Sequence, residues 1–380
     1  MSPGHAGPNG GFGLVELMVA LALGLLIMTA MLGMFVDMSR INREMARTNS
    51  QIENARFALQ LLHGDIVHGG YWGGFVPAFD DFSRADVPSD APASLPDPCL
   101  ARSTPWNGAY IDSLIGIAVQ SFDAPPLGCN SVVTNVQPDT DVLVVRHAGT
   151  CVPGAPGCEP DVAGKLYFQA SFCELESSTR YLLGTSGFGL HGRSCVAGPP
   201  VGGPLAPKRR FVSNIYYIRN FSLSPGDGIP TLVRSEFDLS GKTLAQQPAV
   251  ALIEGIQGFR IELGIDSLGD TGAATDYTAA IAWADPEVRD SPTNRGDGIP
   301  DGAFIRCTTA APCSVAQLRD VVAVRIFLLA RANEITPGYI DTRSYTLGST
   351  TLGPFNDGFK RHVFSRSVRL VNVSGRRETP

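Results

Sequence analysis

The sequence predicts an α+β protein, in which one long N-terminal helix precedes a head of antiparallel strands. Three observations lead to this prediction. An apolar run and then an amphipathic stripe extend from Leu17 to Ile66, and no proline lies between Pro8 and Pro77. Short alternating segments typical of strands dominate from Arg210 onward. All eight cysteines lie beyond the predicted helix.

The first half of the helix is predicted by Leu17–Val36, twenty residues without a charge, in which Thr29 carries the only hydroxyl. At about 1.5 Å per residue this run spans roughly 30 Å, the thickness of a bilayer core. A secretory signal has a shorter apolar core, so a membrane-spanning helix is favoured over a cleaved signal. Glu16 precedes the run, where a carboxylate is costly and is therefore a candidate for function.

The second half of the helix is predicted by a stripe with alternating spacings of three and four residues, in which eight of nine members are apolar. A coiled-coil dimer would also show such a stripe, but we favour packing on a globular head. The helix is expected to run from near Phe12 to about His68 and to end at Gly69-Gly70. The stripe consists of Met38, Ile41, Met45, Thr48, Ile52, Ala55, Leu59, Leu62 and Ile66.

The composition changes after the helix. Pro, Gly, Asp and Ser are dense from Pro77 to about Pro207, which predicts an irregular insertion pinned by disulfides, with short strands at Asp141–Arg146 and Leu166–Phe172. The later strands are expected to form the head, with the very apolar Val321–Leu329 at its centre. They are predicted at Phe211–Arg219, Thr231–Phe237, Ala249–Gly264, Tyr277–Trp283, Val321–Leu329 and Val363–Val373.

The cysteines indicate disulfides in an oxidising compartment, because their number is even, none forms C-x-x-C and no histidine stands at zinc-finger spacing. The sequence alone leaves the connectivity open. We favour sequential pairing because it closes short loops, above all between Cys307 and Cys313, which bracket the turn-like Thr-Thr-Ala-Ala-Pro. The eight residues are Cys99, Cys129, Cys151, Cys158, Cys173, Cys195, Cys307 and Cys313.

Composition and motifs argue against nucleic-acid binding and catalysis. The net charge is −6, and the longest basic block is Lys208-Arg209-Arg210, so nucleic acid is disfavoured as a partner. Gly187–Gly192 matches G-x-G-x-x-G, but it joins no convincing strand to a long helix, and a flexible loop is favoured. No metalloprotease, P-loop or nucleophile-elbow motif is present. We therefore predict neither catalytic residues nor a cofactor.

One weak metal candidate is the segment that contains Asn294, Asp297 and Asp301. Alternating carboxylates before a glycine turn are typical of half of a calcium loop. Arg295, however, stands where another ligand would be needed, and residues 226–230 repeat Gly-Asp-Gly-Ile-Pro without a following aspartate. A plain turn is favoured over a calcium site.

Gly11-Phe12, Glu16 and the apolar helix resemble the class III signal of type IV prepilins and type II secretion pseudopilins. In that family a membrane peptidase cuts after the glycine and N-methylates the phenylalanine, and the glutamate docks the subunit into the filament. The resemblance assigns processing to Gly11 and Phe12 and assembly to Glu16. On residue chemistry, Glu16 could neutralise the new amine four residues ahead or that of a neighbouring copy. The alternative is an incidental carboxylate at the end of an anchor.

The head carries a second resemblance. The strings YYIR…GIPTLVR, ALIEGIQGFRIELGID, VVAVRIFLLAR and RHVFSRSVRLVN are similar to the PilW type of minor pilin. This implies a pilin-like fold, with the helix packed on an antiparallel head and a Cys-rich loop insertion. The predicted division is 1–11 prepilin leader, 12–75 helix, 76–207 insertion and 208–380 head. The leader contains His5 but no Lys or Arg, which departs from the positive charge usual in such leaders.

The resemblance implies a minor pilin that joins an initiating or tip complex of a type IV pilus after cleavage. It implies as partners prepilin peptidase, other minor pilins, the major pilin, the inner membrane and a tip adhesin. The head would be periplasmic in a Gram-negative bacterium, and the chain would then reach the pilus or cell surface. The alternatives are a type II secretion pseudopilin and a pilin-anchored adhesin or ligand-binding protein.

Overall fold

The computed structural model describes residues 11, 13–176, 180–289 and 291–378. The chain forms two compact parts, one up to Ser50 and one from Gln51 onward. One helix, α1 (Leu14–His68), supplies the regular structure of the first part and continues into the second. The unbroken helix predicted across this region is confirmed.

Two glycines end α1 where the sequence predicts it. The Gly69 N–H donates to the Ile66 carbonyl (2.9 Å), and Gly70 takes a left-handed conformation with φ +74°. A residue with a Cβ is strained in that conformation, which is why a glycine commonly follows a helix end. The Gly70 N–H then donates to the Arg146 carbonyl (3.0 Å), so the chain turns directly onto a strand of the head.

The larger sheet of the head is antiparallel and has eight strands, with the order β1-β2-β5-β3-β4 and with β6 pairing β5, β7 and β8. The helix α2 (Gly108–Gly116) precedes it in the chain. The strands are β1 (Val119–Phe122), β2 (Val142–Ala148), β3 (Tyr167–Ala170), β4 (Tyr181–Gly184), β5 (Arg209–Arg219), β6 (Thr231–Ser240), β7 (Thr243–Gln246) and β8 (Val250–Glu254).

The cysteine-rich segment is more regular than the sequence predicts. It supplies α2 and β1–β4, and both β2 and β3 hydrogen-bond to β5 of the head. All seven residues of β2 are buried, because both faces of this strand are covered. The expectation of an irregular loop insertion is therefore corrected, since much of this segment belongs to the same sheet as the head. The four-part division along the chain stays a prediction.

The smaller sheet has the order β13-β10-β9, and a β11–β12 hairpin lies beside it. The apolar strand β10 is central, as the sequence predicts. A short helix, α3, precedes β10, and another, α4, follows β13. The elements are β9 (Ile256–Ile265), α3 (Val315–Arg319), β10 (Val321–Arg331), β11 (Tyr345–Leu347), β12 (Thr350–Leu352), β13 (Arg361–Arg369) and α4 (Val371–Arg377).

Of the predicted strands, one is absent, one ends early, and Ala249–Gly264 is divided at Gly255 into β8 and β9, which lie in different sheets. Tyr277–Trp283 forms no strand, because the Tyr277 ring instead lies against the guanidinium of Arg319 (3.9 Å) and its hydroxyl donates to Asp320 (3.0 Å). The predicted strand Val363–Val373 is confirmed only as far as Arg369, where β13 ends, and α4 begins two residues later.

The apolar core lies between the helix and both sheets. From Gln51 onward, α1 buries Ala55, Ala58, Leu62 and Ile66 completely, and they pack in one cluster with β2, β5, β9 and β10. Alanines at two of these positions let the sheets approach the helix closely. Truncating a buried leucine such as Leu62 to alanine typically costs about 2–5 kcal/mol. The predicted stripe is thus the packing face in this part of the chain.

A buried carboxylate fixes the end of α1 to the larger sheet. Asp65 accepts hydrogen bonds from His147 Nε2 (3.0 Å), Asn214 Nδ2 (3.0 Å) and the Tyr216 hydroxyl (3.1 Å). Burial opposes ionisation, but these three donors outweigh it and hold the pKa of Asp65 below its usual range. The carboxylate therefore stabilises the fold above pH about 4, and its contribution is lost as the pH falls through the lowered pKa.

We expect Asp65→Ala to lower the free energy of unfolding by about 1–3 kcal/mol, because three buried donors lose their acceptor. Urea unfolding of the detergent-solubilised chain, followed by circular dichroism, measures this change. Glu53→Ala, an exposed position on the same helix, serves as the control. Equal stability of the two variants would contradict the role given to Asp65.

All eight cysteines are joined in the sequential pairing that the sequence favours: 99–129, 151–158, 173–195 and 307–313. Cys307 and Cys313 are buried and close a loop just ahead of α3. Closing a loop of this length restricts the unfolded chain by about 2 kcal/mol on the chain-entropy account.

We expect non-reducing peptide mapping to find Cys307 and Cys313 linked, and Cys307→Ser with Cys313→Ser to lower the free energy of unfolding by about 2 kcal/mol. Alkylation of either thiol in the folded, unreduced protein would show that this pair is wrong.

Candidate assembly site on the N-terminal helix

Glu16 lies in the first turn of α1 and folds back on the helix start. Its Oε2 accepts a hydrogen bond from the Gly13 N–H (3.0 Å), and the Leu17 N–H donates to the Gly13 carbonyl (3.2 Å). A carboxylate is favoured here because the first amides of a helix lack internal partners and the helix dipole is positive at this end. Glu16 is thus positioned beside the segment in which the predicted cleavage falls.

The helix that follows Glu16 presents apolar side chains on every side. Leu14 is 77% exposed and Met34 is 75% exposed, and no residue from Gly13 to Asp37 is buried. Thr29 satisfies its hydroxyl inside the helix by donating to the Leu26 carbonyl (2.9 Å), as a hydroxyl in apolar surroundings must. By length and composition, α1 is able to cross a membrane. Such a surface is stable only in lipid or against other apolar helices.

The structure describes only one of the two predicted processing residues. Gly11 is exposed just ahead of the helix, whereas Phe12 and residues 1–10 lie outside the described residues. The distance from Glu16 to a new Phe12 amine is therefore a prediction from helical spacing. What is seen is a carboxylate that already accepts from a main-chain N–H in the turn where that amine would form.

Comparison with protein families gives two matches, one in the strands of the head and one at the start of the N-terminal helix. Residues 215–372 match the family described as Type IV Pilus-assembly protein W, and residues 8–32 match the prokaryotic N-terminal methylation motif. The first match makes about two fifths of the chain similar to the PilW family. The first match covers β6 to β13, and the second covers Gly11, Phe12, Glu16 and the start of the apolar run.

No curated protein matches the chain. Among solved structures, a type IV-like pilin from Thermus thermophilus is 13% identical to it, with 62% of this chain and 80% of that chain covered. The TM-score of 0.24 is too low to establish a shared fold. The assignment to pilus assembly therefore rests on the two family matches.

The three calcium candidates are all engaged in holding loops. Asp301 Oδ2 accepts from the N–H groups of Ser267 and Leu268 (both 2.7 Å), and Asp297 Oδ1 accepts from Ile299 (2.8 Å). Asn294 Oδ1 accepts from Ala282 (2.9 Å). Each of these side chains thus accepts hydrogen bonds from loop amides, and calcium binding by them stays an untested prediction.

The second Gly-Asp-Gly-Ile-Pro turn shows the same use of an aspartate. Asp227 accepts from four backbone N–H groups between Ser222 and Ile229, at 2.9–3.2 Å. These hydrogen bonds, the one from Ile229 foremost, lower the pKa of Asp227 to about 2. Each copy of the repeat is thus a turn closed by its own carboxylate.

Sequence reasoning missed a buried charge cluster that holds the C-terminal helix. Arg377 is fully buried and donates to Asp80 (3.0 Å), Asp266 (3.1 Å) and Asp320 (3.2 Å). The three carboxylates come from the loop after α1, the end of β9 and the end of α3. No local pattern relates residues so far apart in the sequence, so no available signal would have found the cluster.

Proposed function

We propose that this chain is a minor pilin that enters the inner membrane, is cleaved after Gly11, and joins the complex that initiates or caps a type IV pilus. The observation that carries the proposal is one chain with a methylation motif at its N-terminus and a PilW match in its head. An exposed apolar helix with Glu16 at its start joins these two parts.

The proposal assigns three tasks to the chain. The apolar half of α1 holds the precursor in the membrane and then packs among the helices of neighbouring subunits. Glu16 neutralises the amine freed by cleavage, its own or a neighbour's, in a low-dielectric setting where an unpaired charge is costly. The disulfide-bonded head lies in the periplasm of a Gram-negative cell and later at the pilus or cell surface.

Size favours the tip over the shaft. The compact part from Gln51 onward spans 330 residues, and such bulk would crowd a repeating filament, whereas at a tip one neighbour is absent. Its partners are then prepilin peptidase, the other minor pilins, the major pilin and a tip adhesin. The family match, whose description is pilus assembly, favours this function over a type II secretion pseudopilin or a pilin-anchored adhesin.

We expect the mature chain to begin at an N-methylated Phe12. Intact-mass measurement and N-terminal sequencing of the chain from membrane fractions test this, with cells that lack prepilin peptidase as the control. The control should retain residues 1–11. Retention of those residues in wild-type membranes would overturn the processing step.

A further inference from the structure

One edge of the smaller sheet is open. β13 pairs with β10 over all nine residues from Arg361 to Arg369, in one continuous register, and within the described residues it pairs with no other strand. An unpaired edge presents free N–H and C=O groups, which can hydrogen-bond to an added strand.

The register shows which groups are free. The Leu370 N–H donates to the Val322 carbonyl (2.8 Å), so residues at even-numbered positions bond to β10. In an antiparallel pair the intervening residues point their main-chain groups away from that partner. The outward positions are therefore Val363, Ser365, Ser367 and Arg369, and the last three of these residues are exposed.

The edge is positively charged. Arg366 and Arg369 are exposed on it, and the strand contains no acidic residue. Arg369 pairs with Glu378, but among the described residues Arg366 has no carboxylate partner. Burial, and then the neighbouring Arg366, lower the pKa of His63 on the adjoining helix, so the neutral form of this ring is favoured.

We propose that the β13 edge docks an extended acidic segment of another pilin subunit, which adds to the sheet as a fourth strand. The added main chain would bond to the outward groups at positions 363, 365, 367 and 369, and its carboxylates would lie beside Arg366 and Arg369. Opposite charges at cross-strand positions are attractive and fix the register. This inference rests on the proposed function, because it requires assembly with other pilins.

Charge disfavours a second copy of this chain as the occupant. In an antiparallel pair of two β13 strands centred on Arg366, the two Arg366 side chains would stand opposite each other. Like charges directly opposite each other destabilise a strand pair. Arginines on an edge also protect against non-specific pairing, and protection alone is the competing explanation that the experiment must exclude.

The test compares amide hydrogen exchange in the isolated full-length chain, in detergent, with exchange in the complex purified with its partner pilins. We expect the amides of positions 363, 365, 367 and 369 to exchange at least about tenfold more slowly in the complex. Positions 364, 366 and 368 bond to β10 in both states and serve as internal controls.

Two variants test the charge and the main-chain bonds separately. Arg366→Glu should lower recovery of the complex about tenfold, whereas Arg193→Glu, the same change at another exposed arginine, should leave it unchanged. Ser365→Pro removes one outward N–H without touching the β10 ladder, and it should lower recovery while the urea midpoint of the head is retained.

Unchanged exchange at the four outward amides in an otherwise intact complex would overturn the docking proposal and leave the proposed function standing. If the complex were recovered equally with Arg366→Glu and with Arg193→Glu, the proposal of an acidic partner would be wrong. The arginines would then serve only to protect the edge from non-specific pairing. If the wild-type chain purified with no other pilin, the proposed function would fail, and this inference would fail with it.

Discussion

Arg377→Ala is expected to lower the free energy of unfolding by about 3–5 kcal/mol, the largest effect of any single substitution considered for the head. The guanidinium is fully buried and forms ion pairs with Asp80, Asp266 and Asp320. Truncation removes the partner that the three carboxylates share. Arg376 still pairs with Asp80 (3.1 Å) and Arg319 with Asp320 (2.8 Å), so Asp266 is affected most. Urea unfolding of the detergent-solubilised chain measures the loss.

The matched control is Arg369→Ala, a few residues earlier. Arg369 pairs with Glu378 at the surface, where both side chains are about half exposed, and such pairs contribute about 0–1 kcal/mol. Comparable destabilisation by the two substitutions would show that burial of the Arg377 cluster does not govern its contribution.

The effect of Arg377→Ala should also depend on pH. Burial raises the pKa of Asp266 to about 6, and the charge of Arg377 opposes this rise. A folded-state pKa above the unfolded value means that the Asp266 carboxyl favours the fold at low pH, and that this contribution declines as the pH rises through about 6. Without Arg377 the pKa rises further, so the variant should lose more stability at pH 8 than at pH 5.

Glu16→Ala is expected to enter the membrane and to be cleaved normally, yet to be recovered with other pilins at least about tenfold less than wild type. Removing a carboxylate from the edge of the membrane favours insertion by a few kcal/mol. Assembly, in contrast, would leave an α-amino group unpaired in apolar surroundings, which costs several kcal/mol. Co-purification at matched membrane levels measures the difference.

Glu53→Ala is the control for Glu16→Ala, because it removes an exposed carboxylate from the same helix outside the apolar run. Its recovery should equal that of wild type. If Glu16→Ala were also recovered in full, Glu16 would act only as the acceptor for the Gly13 N–H seen at the helix start.

The elements predicted correctly are those whose signal is local and long. The spacing of Ala55, Leu59, Leu62 and Ile66 identifies the buried face of α1, and Gly70 marks its end by a conformation that other residues avoid. The apolar run of β10 likewise indicates a central strand. In each case neighbouring residues in the sequence carry the whole pattern.

The elements missed depend on distant partners. β1 and β4 are only four residues long and lie among loops, so their places in the sheet are set by pairing with β2 and β3. α4 contains valines and a glycine, which are poor helix formers, and its Arg377 is held by carboxylates from three other segments. Periodicity cannot reveal such contacts, because they form only in the folded chain.

The most direct test of the central claim is to count pili on cells that lack this chain and to assay type II secretion in the same cells. The account predicts that surface pili are lost, that the wild-type chain restores them and Glu16→Ala does not, and that secretion is unchanged. Normal piliation together with a secretion defect would contradict it and would assign the chain to the secretion system.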